Sequence, residues 1–116
     1  MATNDERLRE ATEAAERFCE RRSPPELADE MRLELVATKT SLTIVERRAP
    51  WGPGMGSDWT HSEVARLRLD PRTLTWSLLW KRASGRWAPY ADVPPSSDVE
   101  PLLAAIDDDP LGVFWG

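Results

Sequence analysis

The sequence predicts a small α+β domain: an N-terminal helix, a four-stranded antiparallel β-meander and a C-terminal helix. Three observations lead there. Apolar residues recur at helical spacing near both ends of the chain and alternate strictly between them. Short polar or Pro/Gly-containing turns separate the alternating runs. None of these connections is long enough for the crossover helix that parallel strands need. At 116 residues the chain is one domain by length, taken as residues 1–116.

Residues 4–22 place Leu8, Ala11, Ala15 and Phe18 on one helical stripe, with Cys19 and Arg22 flanking it. Asn4 is the expected N-cap, Asp5 and Glu6 suit the positive end of the helix dipole, and Arg21 and Arg22 suit the other. Residues 1–3 are expected to be disordered. Pro24 and Pro25 stop the helix, and Pro25 can open one short turn.

The strands follow. In MRLELVA, Met31, Leu33 and Leu35 alternate with Arg32, Glu34 and Val36; TKTS is a turn; LTIVER alternates Leu42 and Ile44 with Thr43, Val45 and Arg47. EVARLRLD sets Ala65, Leu67 and Leu69 against Val64, Arg66 and Arg68. Asp70 and Pro71 open a turn. LTWSLLWK then sets Leu74, Trp76, Leu78 and Trp80 against Thr75, Ser77, Leu79 and Lys81, and ASGR leads to a short segment around Trp87. One sheet face therefore packs on the first helix. The other carries Arg32, Arg47, Arg66, Arg68 and Lys81 around an apolar centre of Val36, Val45, Val64 and Leu79, which the second helix could cover in part. That helix begins near Ser97, its expected N-cap, and aligns Val99, Leu102, Leu103 and Ile106. The apolar tail LGVFWG is expected to dock Phe114 or Trp115 onto the sheet or first helix, because that much exposed apolar surface would be costly.

Bulk properties narrow the function. No apolar run is long enough to span a membrane, the N-terminus lacks the apolar core of a signal peptide, and Cys19 is the only cysteine, so a cytoplasmic protein is expected. The net charge of -5 is unevenly spread. Residues 63–90 carry two acids and six bases, whereas residues 91–116 carry six acids and no base.

The motifs are mostly exclusions. GPGMG at 52–56 lacks the lysine, the serine or threonine and the following helix of a P-loop, so it reads as a connection. His61 is the only histidine, and Asp58, His61 and Glu63 fall short of a zinc signature. No nucleophile elbow is present, and Cys19 reads as a packed thiol. The acids of DDD at 107–109 read as a solvated helix end. No cofactor and no metal site are expected.

Two features suggest binding. Trp51, Trp59 and Trp87 lie at strand ends and loops, where they frame an aromatic site or plug one end of the sheet. Arg47, Arg66 and Arg68 share a face that could meet phosphates, or be neutralised by the acidic chain ends. The overall acidity disfavours nucleic acid. The favoured reading is a non-enzymatic binding or assembly module, with a protein partner or a homodimer and no membrane. The alternatives are a weak nucleic-acid binder using the arginine face and a metal-dependent hydrolase around Asp58, His61 and Glu63.

VERRAPW at a strand end, the Trp-rich LTWSLLWKRASGRWAPY and the closing IDDDPLGVFWG together resemble the bacterial domain-of-unknown-function family DUF3024. The resemblance runs from about Phe18 onward. The strand-end motif usually has two prolines before its tryptophan; here Ala49 takes the first place and Pro50 the second. The resemblance implies no activity to carry over and leaves function open.

Overall fold

The structure, a computed structural model, describes residues 2–50 and 58–115. Helix α1 (Asn4–Arg22) leads through a single 3-10 turn (Pro25–Leu27) into five strands, β1 (Met31–Ala37), β2 (Ser41–Arg48), β3 (Thr60–Asp70), β4 (Thr75–Lys81) and β5 (Trp87–Pro89), and helix α2 (Glu100–Asp108) follows. The strands form one antiparallel sheet in the order β1-β2-β3-β4-β5. The sheet thus has five strands rather than four. The segment around Trp87 pairs Trp87, Ala88 and Pro89 with Lys81, Trp80 and Leu79. Three residues are too few for alternation to register in sequence.

Local chemistry explains the elements, with two caps displaced from expectation. Thr3, not Asn4, caps α1, its hydroxyl accepting from Glu6 N–H at 3.2 Å. Val99 stands at the N-cap of α2, Pro101 opens the first turn, and the Asp98 carboxylate accepts from Glu100 N–H at 3.0 Å. Ser97, the expected cap, lies outside the helix. Leu74 is in the β3–β4 turn with φ 57°, its N–H donating to Asp70 O, so it does not join the strand stripe.

The core lies between the helices and one face of the sheet. Ala11, Ala15 and Phe18 of α1 and Leu102, Leu103 and Ile106 of α2 form one buried cluster with Leu42, Ile44, Leu67, Leu69, Trp76 and Leu78. Both helices therefore cover the same face, and α2 does not cover the centre of the opposite one. A backbone bridge between Trp76 and Ser96 holds the approach to α2 against β4.

The β2–β3 register contains a β-bulge. Ile44 opposes Ala65 but Val45 opposes Glu63, which leaves Val64 as the extra residue. Val64 joins the core cluster instead of the arginine face. Beyond the bulge the alternation resumes one residue out of step, so Glu63 and His61 emerge on the arginine face.

The C-terminal tail docks as its composition requires. Phe114 is buried, with its ring centroid 5.2 Å from that of Tyr90. Trp115 donates its indole N–H to Ile106 O at 2.8 Å and lies beneath the Arg22 guanidinium, 4.1 Å from its ring centroid. Asp109, left-handed at φ 41°, accepts backbone N–H bonds from Val113, Phe114 and Trp115. One carboxylate thus turns the chain back onto the core.

Candidate functional site: the open basic sheet face

Opposed residues of an antiparallel ladder project to the same side. On the helix-free face the register brings together Arg32 and Arg47, Thr43 and Arg66, Arg66 and Leu79, Arg68 and Ser77, and Lys81 and Trp87. Arg47, Arg66 and Arg68 therefore share one face, as their alternation predicts.

Arg66 is held on three sides. Its Nε donates to Thr43 Oγ1 at 2.9 Å, its Nη2 lies 3.5 Å from Glu63 Oε2, and its guanidinium carbon is 4.4 Å from the Trp87 ring centroid. Lys81 completes the group: Nζ donates to Glu63 Oε1 at 2.6 Å and lies 5.9 Å from the same ring. The hydrogen bond from Lys81 holds the Glu63 carboxyl below its ordinary value, with the nearby charges of Lys81, Arg66 and His61 acting in the same direction. Leu79 sits between Arg66 and Pro89 in the ladder and is 3% exposed, although both helices pack on the other face. Its neighbour across the ladder, Arg66, is the residue whose guanidinium lies over Trp87.

A second group forms around Trp59. The Arg32 guanidinium lies 4.7 Å from its ring centroid and donates to Ala28 O at 2.7 Å. Arg47 approaches Glu34 at 3.5 Å. Arg32, Glu34, Arg47 and Trp59 line one small hollow of about 100 Å³. Trp59 and Trp87 thus serve separate cations, and the aromatic pair among the described residues is Tyr90–Phe114. Trp51 and the GPGMG stretch lie outside the described residues. Arg68 is exposed and makes no ion pair or side-chain hydrogen bond among the described residues.

Among the described residues, Arg47, Arg66 and Lys81 of this face pair with the strand carboxylates Glu34 and Glu63, not with the acidic chain ends. The tie to the acidic C-terminus runs from Arg22 of α1 to Asp107, on the helical side. Sequence reasoning missed Glu63 as the joint between Arg66 and Lys81, because only the bulge turns it to this face.

The hydrolase constellation is divided. His61 and Glu63 line a hollow of about 420 Å³ with Glu34, Val45 and Arg47, whereas Asp58 lines another with Asp29, Glu30 and Arg48. Glu63 is already engaged by two cations. Among the described residues no group of three or more His, Cys, Asp or Glu side chains is arranged to hold a metal. Cys19 is buried in the core cluster, and burial, with Glu16 and Glu20 nearby, pushes its thiol up to about 11. A thiol held that high is almost wholly protonated at neutral pH and is a poor nucleophile. No helix among the described residues is long and apolar enough to cross a membrane.

These features define a small α+β protein whose antiparallel sheet is covered by helices on one face and open and basic on the other. The family model described as Domain of unknown function (DUF3024) matches residues 3–116, and the chain belongs to that family. No curated protein and no solved structure matches it.

Proposed function

We propose that the protein is a non-enzymatic interaction domain that receives an acidic protein surface on its open sheet face. The observation that carries this reading is the separation of charge across the sheet. The open face bears Arg32, Arg47, Arg66, Arg68 and Lys81 against Glu34, Glu63 and Asp70, which leaves it net positive. On the helical side, α1 and residues 98–109 together carry eleven acids against five bases. A face of net positive charge attracts and orients an acidic partner.

An acidic protein surface fits better than nucleic acid. Single-strand binders offer open aromatic rings for bases to stack on. Trp59 and Trp87 each already carry a guanidinium over the ring.

The test uses tryptophan fluorescence and salt dependence, with polyglutamate and a single-stranded oligonucleotide as separate probes. Polyglutamate should bind, and each of Arg47→Ala and Arg68→Ala should weaken it by about two- to fivefold. Binding of the oligonucleotide alone would transfer the face to the nucleic-acid reading. Binding of neither would overturn the proposal.

A further inference from the structure

The two edges of the sheet are unlike. The β5 edge is three residues long and ends in Pro89, a guarded edge. The β1 edge runs for seven residues, MRLELVA, with no proline, lysine or bulge. Its hydrogen-bonding direction follows from the flanking contacts. Thr38 N–H donates to Ser41 O and Ala49 N–H donates to Glu30 O. The even-numbered residues of β1 therefore bond to β2, and the odd-numbered ones, Leu33 and Leu35 among them, turn their N–H and C=O groups outward. No other backbone hydrogen bond engages these groups among the described residues. A hollow of about 590 Å³ lies beside the edge, between α1 and β1, with Leu33 and Leu35 in its lining. On the open face Val36 is left 55% exposed.

We propose that β1 pairs antiparallel with β1 of a second copy of this chain, centred on Leu33, to form a continuous sheet across a two-fold axis. The charges of the strand favour a second copy as occupant: of the centrings in which outward groups meet, Leu33 is the one that sets opposite charges of β1 itself face to face. Outward groups meet outward groups only when odd-numbered residues face odd-numbered ones. Centring on Arg32 or Glu34 sets a like-charged pair face to face, which is destabilising. Centring on Leu35 leaves Glu34 opposite Val36. Centring on Leu33 sets Arg32 opposite Glu34 of the second copy, and by symmetry does so twice. Leu33 then meets its own counterpart, and Met31 meets Leu35, on the helix-covered face. An isologous contact needs such self-complementarity. The inference is independent of the acidic-partner reading, because its readout contains no polyanion.

Sedimentation of the 116-residue chain at about 100 μM should give a dimer that dissociates on dilution. Glu34→Arg and Arg32→Glu, each checked for fold by circular dichroism, should weaken the dimer at least about tenfold by bringing like charges together. An equimolar mixture of the two variants should recover the wild-type association, because each Arg–Glu pair is then restored between unlike chains. Amide exchange in the wild type should slow at Leu33 and Leu35 as concentration rises, a measurement that needs no variant. A wild-type monomer at this concentration would overturn the proposal. So would a dimer whose mixed variants fail to recover, or one in which these amides stay unprotected.

Discussion

The Arg66 guanidinium lies 4.4 Å from the centroid of Trp87, and the same side chain donates to Thr43, which is 4% exposed. Arg66 is therefore a structural cover as well as a charge. Arg66→Ala should destabilise the domain by about 1–2 kcal/mol through loss of the stacked cation and the hydrogen bond. Arg66→Lys should recover only part of this, because an ammonium has no plane to lay on the indole. Urea denaturation of the two variants beside the wild type checks the order.

The docked tail should behave as core. Removing residues 113–116 takes away the buried Phe114 ring and the Trp115 indole bond to Ile106. The expected loss is about 3–5 kcal/mol, seen as a much lower melting temperature. Asp109→Asn is the finer probe. It keeps Oδ1, which serves Val113 and Phe114, but replaces the Oδ2 that accepts from Trp115. A smaller loss of about 1–3 kcal/mol is expected. Melting at the wild-type temperature after truncation would show that the tail is not part of the core.

Stability should fall on the acid side partly through Glu63. Its carboxyl is held below the ordinary value of 4.5, first by the Lys81 hydrogen bond. A carboxylate with a lowered folded value contributes stability above its unfolded value and loses it as pH falls through the folded one. The wild type should therefore lose stability more steeply below about pH 4.5 than Glu63→Gln does. Parallel acid limbs in denaturation curves of the two proteins would rule Glu63 out as a contributor.

Much of the fold was legible because its signals are local. The Leu8, Ala11, Ala15 and Phe18 stripe, Pro24 and Pro25, and the alternation of Leu67 and Leu69 with Arg66 and Arg68 each act within a few residues. The features that escaped are long-range. The bulge exists only in the pairing of β2 with β3, and it decides where Val64 and Glu63 point. The side on which α2 lies follows from the path through Trp76 and Ser96, not from its own amphipathic pattern. At the candidate site the arginines were legible, whereas their partners Thr43 and Glu63 were not, because register selects them.

The bulge also bears on how the chain can change length. Deleting Val64 would leave Ala65 opposite Ile44 and Glu63 opposite Val45, the pairings already present. The strand could thus lose that residue, and with it one buried valine, while every neighbour kept its side of the sheet. Deleting Ala65 and leaving Val64 to take its place would give the same alternation with a larger side chain at a fully buried position. Deleting one residue from Arg66 to Leu69 carries no such allowance, because the run there is in strict step with both β2 and β4. Length variation among descendants of this sequence should therefore be absorbed at positions 64 and 65 of β3, where the strand already holds one residue more than its partner requires.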